Sequence, residues 1–230
     1  MGAMAENDEI PVITIDGPSG SGKGTISQLV ARRLDWHFLD SGALYRLVGL
    51  AAERRGLSFD DDAALAKLAQ TLDVEFVPTE ADPRILLDGR DVTDDIRTEH
   101  AGNNASRVAA KPPVRQALLA RQRAFRRPPG LVADGRDMGT GVFPDARVKI
   151  FLTASAEVRA QRRYKQLKDK GLDVSLSDLL TEIAQRDERD RTRSASPLRP
   201  AEDAVVIDTS KLDVDGVFDA VWAVCGDSGR

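Results

Sequence analysis

Pro11-Val12-Ile13-Thr14-Ile15-Asp16 is an apolar, β-branched run that passes without a break into Gly17-Pro18-Ser19-Gly20-Ser21-Gly22-Lys23-Gly24-Thr25. The first part reads as a buried strand, and a helix is expected from about Lys23 to Arg33. A glycine-rich turn placed between a strand and a helix is the context that a phosphate-holding loop requires. Its glycines let the backbone approach phosphate oxygens with no Cβ in the way, so that successive N–H groups point inward as an anion nest. The positive end of the following helix adds to this field, and Lys23 supplies a mobile charge for the β- and γ-phosphates of ATP. The strict pattern asks for Ser or Thr directly after the lysine. Here Gly24 intervenes, so Thr25 is expected on phosphate instead of on magnesium. The whole stretch from Gly17 to Thr25 is the expected ATP contact, with Mg2+ arriving alongside the nucleotide.

Outward from the loop, Phe38-Leu39-Asp40 reads as a second strand and Ala43 to Arg55 carries helical apolar spacing, giving a strand–helix–strand–helix opening. Such alternation argues for a parallel sheet with helices on both faces. The pattern then changes. Val74 to Val77, Arg84 to Leu87 and an Asp88-Gly89 turn before Asp91-Val92 suggest a small β meander inserted at about residues 57–99. Helices near Ala101 to Ala110 and Pro113 to Arg127 bring the chain back to the body. Strands at Leu131 to Asp134 and Val148 to Leu152, helices at Ala156 to Lys168 and Leu176 to Arg191, a strand at Ala204 to Asp208 and a helix near Val214 to Val224 complete it. The expected organisation is one domain over 11–225, with its core at 11–56 and 100–225 and short tails at 1–10 and 226–230. Met1-Gly2-Ala3 ahead of Met4 reads as a cloning remnant.

Composition narrows the function classes. No apolar run approaches the roughly 18 residues of a membrane span and no signal-peptide order opens the chain, so a cytoplasmic location and no membrane partner are expected. The single Cys225 and the separated His37 and His100 give neither an internal disulfide nor a structural-zinc cluster. A net charge of −4 argues against bulk attraction to nucleic acid, although local arginine clusters can still bind small anions. The chain is expected to act as a monomer on small-molecule nucleotides.

A phosphate loop alone fits kinases, GTPases and motor ATPases. No Asn-Lys-x-Asp guanine-reading tetrapeptide is present, which argues against a GTPase. Four stretches taken together matter. They are the Ile13 to Thr25 segment, Leu39-Asp40-Ser41-Gly42-Ala43-Leu44-Tyr45-Arg46, Asp134-Gly135-Arg136-Asp137-Met138-Gly139-Thr140 and Arg186-Asp187-Glu188-Arg189-Asp190-Arg191. With these the chain is similar to bacterial cytidylate kinases over nearly all of Pro11 to Asp208. Adenylate kinases share the first segment and lack the Asp-Ser-Gly-Ala turn and the Asp-Gly-Arg-Asp run.

The resemblance implies an α/β P-loop three-layer fold with a central parallel sheet, an inserted β-containing subdomain that binds the nucleoside monophosphate, and a mobile helical lid at about 156–175. It implies that Ser41 contacts the acceptor phosphate, with Tyr45 and Arg46 nearby; Arg46 is read as lying on the helix side of Ser41. A helix N-cap is the other reading of Ser41. It implies that Arg136 binds the acceptor phosphate and Asp137 the cytosine amino group, a carboxylate that would repel the carbonyl of uracil. A closed Arg136–Asp137 ion pair is the alternative. Asp134 is expected to hold magnesium through a water. Ser106 and Arg115 are implied as base contacts, where Arg115 could otherwise be solvated surface.

Arg159, Arg162 and Arg163 fall at i, i+3 and i+4 on the expected lid helix. Gathered without nearby acids they call for an anion, the transferring γ-phosphate of ATP, unless they form a solvated basic face. Arg186, Arg189, Asp190 and Arg193 are read as sharing a face, with Asp187 and Arg191 as a displaced i, i+4 pair. The resemblance places Arg186 and Asp190 on the acceptor phosphate and sugar hydroxyls, with Arg193 lining the site. The expected reaction is in-line transfer from ATP to CMP, and to dCMP, with Lys23, Arg136, Arg162 and Arg186 stabilising developing charge and no dedicated base. A kinase for UMP or AMP, or a P-loop module associated with nucleic acid, remain as alternatives.

Overall fold

The computed structural model describes residues 10–77, 84–169 and 171–226; residues 1–9 of the expected N-terminal tail, 78–83 of the expected insertion, Lys170 of the expected lid and 227–230 of the expected C-terminal tail lie outside these. The chain begins with β1 (Val12–Asp16), α1 (Lys23–Leu34), β2 (His37–Asp40) and α2 (Ser41–Arg54). It continues through α3 (Asp62–Gln70), β3 (Val74–Val77), β4 (Arg84–Leu87), β5 (Arg90–Asp91), a single 3-10 turn at Asp95–Arg97, α4 (Glu99–Ala109) and α5 (Pro112–Arg123). Then follow β6 (Leu131–Gly135), one wide helical turn at Met138–Val142, β7 (Val148–Thr153), α6 (Ala156–Asp169), α7 (Leu176–Thr192), β8 (Val205–Asp208) and α8 (Val214–Gly226).

Two compact units emerge, one built from the chain up to Asp40 and from Arg123 onward, the other from Ser41–Gln122. In the first, five parallel strands lie in the order β2-β6-β1-β7-β8. Every residue of β1 is buried, as a strand with neighbours on both sides and helices over it must be. Ile26 and Val30 of α1 and Val217 and Val221 of α8 close over Ile13, Ile15, Val132, Ile150 and Leu152. At roughly 25 cal/mol per Å² of apolar surface removed from water, this layer is the main stabilising term of the unit. Because β6 sits between β1 and β2, the carboxyl ends of β1 and β6 open side by side where the strand order reverses, which is where such sheets hold ligands.

The second unit carries the antiparallel β3-β4-β5 sheet together with α2, α3, α4 and α5. Helix α3 corrects the sequence reading, which saw only a meander here. Asp61 accepts from Ala64 N at 2.9 Å and caps the helix, while Leu65, Leu68 and Ala69 form its buried face. Helices α2 and α4 meet at Gly49, where a Cβ would stand 3.0 Å from that of Asn104. Among the described residues no helix is long and apolar enough to cross a membrane.

Candidate active site

The phosphate loop is shaped by what its carbonyls do. At its root a Cβ on Gly17 would sit 2.1 Å from the Leu152 carbonyl oxygen, so only glycine fits where β1 ends. Pro18 O accepts from Lys23 Nζ at 3.0 Å, Ser19 O from Arg159 Nη1 at 3.1 Å, and Ser21 O from Thr209 Oγ1 at 3.1 Å. Arg162 Nη1 approaches Gly20 O at 3.5 Å, and Gly22 O accepts the first helical bond from Ile26 N at 3.2 Å. A planar trans peptide points its N–H opposite its C=O, so each carbonyl held in this way also fixes the direction of the amide that follows it. Gly22, at φ 90°, ends the loop as α1 begins.

A Cβ at Gly24 would lie 3.3 Å from Asp134 Oδ2, a tight contact that sets the carboxylate at the end of β6 directly against the start of α1. Lys23 is 9% exposed, and burial first, then Arg136 and Arg186, pull its pKa down to about 7 despite the opposing pull of Asp134 and Asp40. Among the described residues no cluster of three or more His, Cys, Asp or Glu side chains could hold a metal by itself.

Beside the loop stands an acid–arginine group. Asp190, 4% exposed, accepts from Arg136 Nε at 3.0 Å. Burial would raise its carboxyl pKa, but Arg136, Arg186 and Arg193 outweigh that and hold it below the ordinary carboxylate value. The structure thus brings together Arg136, Arg186, Asp190 and Arg193 from the sequence reading, with more positive than negative charge. The closed Arg136–Asp137 pair does not form. Asp137 instead faces Arg193, whose Nη2 lies 3.8 Å from Oδ1, and Arg193 Nε donates to Ser196 O at 2.6 Å.

Two readings of the arginine helices are corrected. Arg159 is not without an acid, because its guanidinium forks onto the Asp187 carboxylate of α7 and Nε donates to Ala154 O at 2.9 Å. With Ser19 O as well, Arg159 braces the loop. Asp187 is therefore not paired with Arg191, which meets Glu188 at 3.2 Å. Arg162 donates to Thr209 Oγ1 at 3.0 Å and to Thr209 O at 2.5 Å, and burial lowers its pKa. Arg163 reaches Gln166 at 3.3 Å.

In the second unit Ser41 Oγ accepts from Gln122 Nε2 at 2.8 Å, both side chains being buried. The Arg115 guanidinium lies 5.6 Å from the centre of the Tyr45 ring and donates to Ala109 O at 3.2 Å, so it is not simple solvated surface. Ser106 is buried in α4. Arg46 does not follow Ser41 along one side of α2, since five helical residues leave about 140° between them; Tyr45 at i+4 does.

Sequence reasoning passed over several residues that shape the site. Asp16 was read only as a strand end, yet its carboxylate accepts from Met138 N and Gly139 N, both at 2.8 Å. Its position directly before the loop glycine was the available signal. Thr209, fully buried, and Asp187 reach the loop or its brace from far along the chain, and no local pattern announces them.

Comparison with known proteins agrees with this geometry. The cytidylate kinase family model matches residues 13–226. The cytidylate kinase of Methylococcus capsulatus is 62% identical over 217 residues, covering 94% of this chain and 97% of the relative. That of Aeromonas salmonicida is 60% identical over 213 residues, covering 93% of each, and that of Pseudomonas aeruginosa is 56% identical over 225 residues, covering 97% and 98%. With the family model spanning almost the whole described chain and relatives more than half identical along nearly their full length, this chain belongs to the cytidylate kinase family.

Proposed function

We propose that this protein transfers the γ-phosphoryl group of ATP to CMP, forming CDP and ADP. The observation that carries the reading is the pairing, at the carboxyl ends of β1 and β6, of an amide-lined loop holding Lys23 with three arginines gathered on Asp190. Phosphoryl transfer asks a protein for alignment and charge neutralisation more than for covalent help. An acceptor phosphate is already anionic near neutrality, so no general base is assigned.

In this reading the amides from Gly17 to Thr25 hold the donor phosphates and Lys23 exchanges Pro18 O for a phosphate oxygen. Arg162 and Arg163 of α6 reach the γ-phosphate once Arg162 lets go of Thr209, and Arg159 contributes by keeping the loop in shape. Arg136 and Arg186 take the acceptor phosphate, displacing part of the grip on Asp190 and freeing that carboxylate to accept from a sugar hydroxyl. Asp137, steadied by Arg193, accepts from the cytosine amino group. Ser41, Tyr45, Arg46, Ser106 and Arg115 of the second unit are assigned to the acceptor on the family resemblance; the Arg115 guanidinium lies 5.6 Å from the centre of the Tyr45 ring. Asp134 would hold a hydrated magnesium ion carried in by ATP, which neutralises phosphate charge when bound.

The test is a coupled assay offering saturating ATP with CMP, dCMP, UMP or AMP in turn. CMP should exceed UMP in kcat/KM by at least about tenfold, since a buried polar group left unpaired by the wrong base costs about 1–3 kcal/mol. Asp137→Ala should narrow that gap while leaving the KM for ATP within about twofold. Equal turnover of UMP or AMP by the wild type would overturn the assignment.

A further inference from the structure

Asp16 is a buried carboxylate, 5% exposed, that the reaction scheme leaves without a task. It holds both ends of one short arch. Its backbone pairs with Gly135, the last residue of β6, in the parallel ladder. Its side chain reaches across to the amides of Met138 and Gly139, one carboxylate oxygen to each, at 2.8 Å. Only Arg136 and Asp137 lie between these anchors. The arch is tight on its other sides too. A Cβ at Gly135 would meet the Met138 side chain at 2.8 Å, and one at Gly139 would meet Thr14 Oγ1 at 2.9 Å.

Two convergent N–H groups form a small nest that suits an anion with two acceptor oxygens. An asparagine of the same shape satisfies one amide and turns an NH2 group toward the other. The charged groups that act on Asp16 are Asp134 from β6 and Asp137 from the arch. Burial first, then these two, raise its pKa to about 7 against the lowering effect of the two amides. A protonated carboxyl has lost one acceptor, as asparagine has.

We propose that Asp16 is a positioning residue for acceptor selection: by clamping both ends of the Arg136–Asp137 arch it fixes the place from which Asp137 reads the acceptor base. This rests on the assignment of Asp137 to the base. A side chain that served folding alone would change activity on all acceptors together, whereas a positioning role changes the ratio between them.

The test compares Asp16→Asn, Asp137→Ala and the double variant with the wild type, measuring kcat and KM for CMP and UMP together with the KM for ATP. Asp16→Asn should cut the CMP-to-UMP ratio of kcat/KM about tenfold, mainly through the KM for CMP, leave the KM for ATP within about twofold, and add little once Asp137 is alanine. If Asp137→Ala collapses the ratio and Asp16→Asn leaves it intact, the role assigned to Asp16 is wrong while the base reading stands. If Asp137→Ala leaves the ratio intact, both fall.

Should Asp16→Asn not fold, Gly139→Ala disturbs the same arch from its other side, because the added Cβ would meet Thr14 Oγ1 at 2.9 Å. The CMP-to-UMP ratio of kcat/KM should then fall with the KM for ATP within about twofold, and a ratio that stays level in a folded variant overturns the proposal.

Discussion

Lys23 carries its charge where the surroundings resist it. With a pKa drawn down to about 7, it is charged in the free protein below neutrality and largely neutral above. Phosphates bound at the loop favour the charged form, so ATP binding at pH 7.5 should take up a proton. Affinity for ATP should fall as pH rises above 7, by up to about tenfold per unit, the limit for one linked proton. Calorimetry in buffers of different ionisation enthalpy measures the uptake directly, and a binding heat independent of buffer would contradict it. Lys23→Met should lower kcat by about 10²–10³-fold or more with the fold intact, a loss on the scale of removing one preorganised transition-state contact.

Between elements, the link with the largest leverage is the Arg159–Asp187 fork joining α6 to α7. Side-chain exposures of 4% and 15% make it a nearly buried pair. Removing one member of such a pair costs about 3–5 kcal/mol, because the partner is left charged and unanswered. Arg159→Met and Asp187→Asn should each destabilise on this scale in denaturant unfolding, and the double variant by clearly less than their sum. Arg159→Met should also raise the KM for ATP, since Ser19 O loses its donor; additive losses with an unchanged KM would remove the fork from its role. The pairing was hidden in the sequence for a geometric reason. Helical spacing reveals neighbours on one helix, so Asp187 was matched to Arg191, while its true partner sits 28 residues away. The β1–loop–α1 unit was legible because a glycine cluster between a β-branched run and a helical pattern admits few other structures. The acid–arginine group was half legible: its members lie in two recognisable stretches, but that Arg136 chooses Asp190 over the adjacent Asp137 follows from how α7 approaches β6. Helix α3 was missed because its nine residues carry few signals: a capping aspartate and a short alanine- and leucine-bearing stretch beside a stronger strand pattern.

For the molecule as a whole, two buried ionisable groups set opposing pH trends. Asp16, with its folded pKa raised to about 7 from 3.8, contributes stability that is present below pH 3.8 and is lost as pH rises through 7. Lys23, lowered to about 7 from 10.5, contributes stability that is present above 10.5 and is lost as pH falls through 7. Their sum is least favourable near neutrality. Lys23→Met should therefore raise the unfolding temperature of the ligand-free protein at pH 7 and have a smaller effect near pH 10, a trade of stability for function that scanning calorimetry can follow. The grip on the phosphate loop has a further consequence for how the chain comes off the ribosome. Its glycines and lysine are made early, but the groups that hold Ser19, Gly20 and Ser21 stand 140, 142 and 188 positions downstream. Until Thr209 and the helices before it have emerged, the nascent chain owns the motif without the shape, so competence to bind nucleotide arrives near the end of synthesis.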